Sequence, residues 1–144
     1  MLQKDDFETL ADFRKSLRQY LRFVEDGARE GGVTPQQHQV LLAIKGSRGK
    51  DWATVGELAD SLQIKHHAIV GLIDRCELAC LVKRSNSPMD RRIVQVSLTP
   101  KGEEIIARLT EKNLPELRTL TGLTRELEAL AHSFVEEKPK AKGK

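Results

Sequence analysis

The segment from residue 75 to residue 92 most limits what this chain can fold into. A helical stretch ends near Cys80, and the extended run Leu81-Val82-Lys83-Arg84 follows at once. A polar stretch, Ser85-Asn86-Ser87-Pro88-Met89-Asp90, leads into the pair Arg91-Arg92. A second extended run, Ile93-Val94-Gln95-Val96-Ser97-Leu98, closes the segment. Two strand-like runs around turn residues read as a hairpin. A hairpin fed directly by a helix, with two arginines at its tip, is a cationic finger and suggests a nucleic-acid partner.

The charge distribution agrees. The net charge is only +3, but residues 65–101 hold seven basic side chains (Lys65, Arg75, Lys83, Arg84, Arg91, Arg92, Lys101) against three acids (Asp74, Glu77, Asp90). Residues 1–30 hold six basic and seven acidic ones. A local excess of this kind is expected of a phosphate-facing patch. The length of 144 residues suits one domain, with 39% apolar and 31% charged residues. No apolar run approaches the roughly 20 residues of a membrane helix. Met1-Leu2-Gln3-Lys4-Asp5-Asp6 is too acidic and interrupted for a signal peptide, so cytoplasmic residence without a membrane partner is expected. Two cysteines make no disulfide framework and would stay reduced in that compartment.

Apolar spacing predicts a long first helix over about residues 4–28, with Phe7, Leu10, Leu17, Leu21, Val24 and Ala28 on one stripe. Phe13, Tyr20 and Phe23 widen its apolar surface, so it serves as a core helix or as a dimer or pocket wall. Gly31-Gly32 breaks the chain. Thr34-Pro35-Gln36-Gln37 and Thr54-Val55-Gly56-Glu57 are capping boxes that open a second and a short third helix. The loop Gly46-Ser47-Arg48-Gly49-Lys50-Asp51 has the wrong spacing for a phosphate loop and reads as a connection. Trp52-Ala53 is a short strand. A tight turn at Gln63-Ile64-Lys65 precedes a fourth helix from about His66 to Ala79, whose core face is Ile69, Leu72, Ile73, Cys76 and Cys80. Thr99-Pro100 caps a further helix, Pro115 breaks it, and Thr121-Gly122 ends that region. A last helix over about residues 124–135 carries Leu123, Leu127, Leu130 and Phe134 at seam spacing. The charged tail, residues 136–144, is expected to be disordered.

A capped helix, a three-residue turn and a second helix with a polar start make a helix-turn-helix. Ala59 allows the close crossing and Ile69 fills the apolar site ten residues on. Gln63 sits where positive φ is favoured. In such a unit the second helix lies in the major groove with its N-terminal residues near base edges. Its outward face offers Lys65, His66, His67, Val70, Gly71, Asp74 and Arg75, with Arg75 suited to a phosphate or to Asp74. The hairpin, with Arg84, Asp90, Arg91 and Arg92, then acts as a wing whose arginines suit a narrow minor groove. Asp90 is expected to hold the wing by bonding its backbone or pairing with Arg92.

From residue 33 to residue 102 the chain resembles the MarR family of bacterial winged-helix transcription regulators. The residues carrying the resemblance are Leu58-Ala59, Ile73-Asp74-Arg75, Leu81-Val82, Asp90-Arg91-Arg92 and Leu98-Thr99-Pro100-Lys101-Gly102. The resemblance implies a mainly α fold with a small β-wing. A winged helix-turn-helix lobe (33–102) would lie between dimerisation segments at 4–30 and 103–135. It further implies a homodimer built on Phe7, Leu10, Leu17, Leu21, Leu123, Leu127, Leu130 and Phe134. It implies sequence-specific binding to double-stranded DNA at the nucleoid, repression, and response to a small aromatic or phenolic ligand near Phe13, Tyr20 and His38. Departures lie at Lys65-His66-His67, at Gly71 where the family often has arginine, and at Cys80 where it has glycine.

Two other readings keep the fold: a redox- or metal-responsive regulator using Cys76, Cys80 and the histidines, and a winged helix that contacts only protein. No catalytic constellation, cofactor motif or zinc signature is evident, so an enzyme is not expected.

Overall fold

The computed structural model describes residues 1–136. The expected disordered tail therefore lies outside the described residues, except Glu136, which closes the last helix. The elements are α1 (Lys4–Glu30), α2 (Pro35–Lys45), β1 (Trp52–Thr54), α3 (Val55–Leu62), α4 (His66–Leu78), β2 (Val82–Asn86), β3 (Val94–Leu98), α5 (Pro100–Asn113), a 3-10 turn (Leu114–Leu117) and α6 (Arg118–Glu136). The chain is mainly helical with one small antiparallel sheet in the order β1-β3-β2. Ala53 and Arg84 both pair with Val96, which is fully buried. No helix among the described residues is long and apolar enough to cross a membrane.

The chain divides into two compact units. Among the described residues, one is Met1–Val24 with residues 113–136, and the other is Glu25–Lys112. The second is wider than the lobe expected at 33–102. Ala28 of α1 and Ile105, Ile106 and Leu109 of α5 are buried in its core, so both helices contribute to it. The rest of that core is Val33, Val40, Leu41 and Ile44 from the α2 region, Ala53 of β1, Leu58 of α3, Ile69, Leu72, Ile73 and Cys76 of α4, and Leu81, Val82 and Val96 of the wing. Each such side chain contributes roughly 1.5–3 kcal/mol when withdrawn from water, so this core sets the position of α4 and the wing.

In the first unit no apolar side chain among the described residues is buried. Phe7, Leu10, Leu21 and Phe134 are 55%, 44%, 45% and 46% exposed. Leu17, Leu123, Leu127 and Leu130 are half-buried.

Local chemistry explains the boundaries. Both capping boxes form: Thr34 Oγ1 accepts from Gln37 N (3.1 Å) while Gln37 Oε1 accepts from Thr34 N (3.0 Å), and Thr54 with Glu57 repeats this at 3.1 Å and 3.1 Å. Three helices end in the same way, with a residue at positive φ. Gly32 follows α1 at φ 87°, Gln63 follows α3 at 54°, and Cys80 follows α4 at 60°. In each, two backbone N–H groups reach back to the last turn: Val33 to Ala28 O, Ile64 to Ala59 O, and Leu81 to Cys76 O are the longer-range bonds.

Two elements differ from the sequence expectation. Cys80 is not on the core face of the fourth helix. The helix stops at Leu78, and the left-handed turn at Cys80 exposes its side chain. The expected break at Thr121-Gly122 is absent, and α6 runs unbroken through it. A glycine in a helix costs only about 1 kcal/mol, and the Thr121 and Thr124 hydroxyls donate back to Arg118 O and Thr121 O within the helix. Pro115 has the expected effect, since α5 gives way to the 3-10 turn there.

Candidate nucleic-acid interface

The two faces of α4 separate cleanly. Ile69, Leu72, Ile73 and Cys76 point into the core. Lys65, His66, His67, Asp74 and Arg75 are exposed, and Val70 and Gly71 are half-exposed. Ala68, which the sequence reading passed over, is exposed on the same first turn. Its omission from the core stripe was the only signal. Lys65 is the N-cap, and because its ammonium has no acceptor to offer the first-turn N–H groups, the start of α4 has no side-chain cap. At Gly71 an added Cβ would lie 3.4 Å from an Arg75 nitrogen, an ordinary contact, so glycine is not sterically required there.

The wing is held by a set of hydrogen bonds. Ser87 N donates to Ile93 O at 2.9 Å, and Ile93 N donates to Asp90 O at 3.0 Å. Asn86 Nδ2 donates to Arg91 O at 2.7 Å. Met89 N donates to the hydroxyl of buried Ser87 at 3.2 Å. Asp90 plays both parts foreseen for it. Its Oδ1 accepts from Arg92 N (3.0 Å) and Nε (3.1 Å), and its Oδ2 accepts from Arg92 Nη2 (3.1 Å). The Arg92 side chain, then its backbone N–H, hold the Asp90 carboxyl below the usual carboxylate range. Arg91 and Arg92 are both exposed, and the Arg92 side chain is 90% exposed even while paired.

Arg84 differs from what its sequence position suggested. Its guanidinium is turned back onto α4, with Nη2 2.5 Å from Asp74 Oδ1 and Nη1 3.2 Å from Glu77 Oε1. Its backbone N–H also donates to Glu77 Oε2 at 3.3 Å. The side chain retains 28% exposure. Arg84 therefore ties the wing to the helix that carries the candidate base-reading residues. Asp74, once a candidate partner for Arg75, is taken up here instead.

A second tie fixes the end of α4. Thr99 Oγ1 donates to Cys80 O at 2.6 Å and accepts from Gly102 N at 3.1 Å. Lys101 Nζ donates to Ala79 O at 2.9 Å. A Cβ on Gly102 would collide with the Leu81 carbonyl oxygen, so only glycine lets α5 approach so closely. The run Leu98-Thr99-Pro100-Lys101-Gly102 thus has a mechanical meaning: it locks the junction between α4 and the wing.

The residues named for a ligand divide between the two units. Phe13 and Tyr20 are half-buried on α1 in the first, and His38 of α2 is 5% exposed in the second. Burial holds the His38 imidazole below its ordinary pKa. Of the two cysteines, Cys76 is buried and desolvation pushes its thiol up to about 11, which leaves little thiolate for redox chemistry.

Comparison with known proteins agrees with this geometry. A model described as the MarR family matches residues 31–93. The HTH-type transcriptional regulator YsmB of Bacillus subtilis strain 168 is 32% identical over 117 residues, covering 78% of each chain. The HTH-type transcriptional repressor MdtR of the same bacterium is 30% identical over 108 residues, covering 69% of this chain and 68% of its own. A crystal structure of a MarR family transcription regulator superposes with a TM-score of 0.74 at 25% identity, over 95% of each chain. With its capped helix-turn-helix, its braced arginine wing and these relatives, the chain belongs to the MarR family of winged-helix transcription regulators.

Proposed function

We propose that this protein is a homodimeric, sequence-specific regulator of double-stranded DNA in the bacterial cytoplasm, acting as a repressor whose grip responds to a small aromatic or phenolic ligand. The observation that carries the DNA reading is the pairing of an exposed, uncapped first turn on α4 with a hydrogen-bonded wing that presents Arg91 and Arg92 to solvent. Lys65, His66, His67 and Val70 then meet base edges or phosphates in the major groove, and Ala68 offers a methyl to thymine. Gly71 lets the backbone approach, and Arg75 takes a phosphate. Arg91 and Arg92 enter the minor groove, where Asp90 presets the Arg92 guanidinium. Arg84 positions the wing rather than meeting DNA.

The homodimer is supported by the unburied apolar stripe of Phe7, Leu10, Leu17 and Leu21 on α1 and of Leu123, Leu127, Leu130 and Phe134 on α6. A patch of this kind marks a protein interface. Repression is the role named for the relative MdtR. The ligand reading rests on family membership, with Phe13, Tyr20 and His38 as its residues.

Replacing Arg92 with alanine tests the wing. Affinity for a duplex selected by this protein from a randomised pool should fall by about 1–3 kcal/mol, as for loss of a specific contact. Unchanged affinity in a filter-binding titration would remove the minor-groove assignment.

A further inference from the structure

We propose that Met89 is an apolar wedge that enters the minor groove beside the wing arginines and loosens a base step. This rests on the reading of the wing as the part that grips DNA. Single exposed apolar residues are common on protein surfaces, so exposure alone carries nothing. What sets Met89 apart is where it stands and how it is held. It is 94% exposed at the apex of the wing. The chain around it is not a loose linker. Pro88 fixes the backbone angle just before it. Its own N–H is bonded to the hydroxyl of Ser87, a side chain buried beneath it.

On either side the bonds Ser87 N to Ile93 O, Asn86 Nδ2 to Arg91 O, and Ile93 N to Asp90 O close the loop. The apex is therefore organised before any partner arrives, which reduces the entropy lost on binding. Ile93, 39% exposed, adds a second apolar surface at the base of the loop.

The neighbours decide the partner. Arg91 and Arg92 lie two and three residues on, and both are exposed. Two exposed guanidinium groups on the same short loop favour a polyanion as its partner. In a duplex the surface that accepts both arginines and an apolar side chain is the minor groove. Proteins that bind there use Met, Leu, Ile, Phe or Pro to part base steps, and both Pro88 and Met89 are of that kind. An inserted thioether is flexible and polarisable, which suits contact with the faces of several bases. Specificity would follow without a hydrogen bond to any base, because pyrimidine–purine steps part most readily.

The test uses the full chain and a duplex that it selects from a randomised pool, with 2-aminopurine substituted for each adenine in turn. Wild-type protein should raise the fluorescence at one position per half-site, the mark of an unstacked base. Met89→Ala should abolish that rise and weaken binding roughly tenfold, the loss expected for one buried apolar side chain. Met89→Leu should retain both. No fluorescent position with wild type, or a rise that persists undiminished in Met89→Ala, would overturn the wedge while leaving the arginine wing intact. If Arg92→Ala also binds like wild type, the wing reading falls and the wedge with it.

Discussion

Arg84 shows how one side chain can be read two ways. By sequence it is a basic residue on a basic hairpin, and so a phosphate contact. In the structure its guanidinium lies between Asp74 and Glu77 of α4, and its backbone N–H is also bonded to Glu77. The acids ten and seven residues earlier were visible in the sequence, but nothing in the spacing said that β2 would turn back along the helix. The two readings make opposite predictions about salt. Arg84→Met should weaken DNA binding several-fold by loosening the wing, with the slope of log affinity against log salt unchanged. A lost phosphate contact would reduce that slope by about 1. The fold itself should lose less than about 1 kcal/mol, since partly exposed ion pairs are screened by solvent. Asp90 and Arg92 were more legible, because an Asp two residues before an Arg in a tight loop has few other partners within reach.

Helices and turns were legible where local chemistry decides them. Thr34 with Gln37 and Thr54 with Glu57 form the capping boxes their spacing predicted. Gln63 takes the positive φ expected of the turn. The misreadings came where local preference is weak against tertiary demands. Gly122 was read as a stop, yet one glycine cannot end a helix that its neighbours support. Cys80 fitted the core periodicity of α4 but lies two residues past its end, in a left-handed turn completed by Cys80 N to Glu77 O and Leu81 N to Cys76 O. Side chains other than glycine are strained in that region. Cys80→Gly should therefore raise stability by about 0.5–1 kcal/mol, measured as a higher urea midpoint with an unchanged slope. Equal or lower stability would mean that the turn carries no strain. The Thr99 hydroxyl, bonded to the Cys80 carbonyl, should keep the junction in place.

At the scale of the whole chain, the residues that bury a core and those that do not fall into different units. The Glu25–Lys112 unit closes over seventeen buried apolar side chains. The described residues of the other unit bury none. Sequence periodicity foresaw apolar stripes on the first and last helices, but a stripe does not say whether it faces its own core or another chain. That distinction needs exposure, and the exposure of this stripe supports the proposed homodimer. In the proposed homodimer a symmetric pair of wings would read two half-sites, doubling the weak base signal of one short helix.

The central claim, two chains gripping one duplex through their basic wings and first turns of α4, is tested most directly by one titration. Protein is added to a fluorescent duplex that it has selected, at several salt concentrations. Two chains should bind per duplex, and log affinity should fall steeply and linearly with log salt, at a slope of about −0.9 for each phosphate neutralised. Saturation at one chain per duplex, or an affinity indifferent to salt, would contradict it.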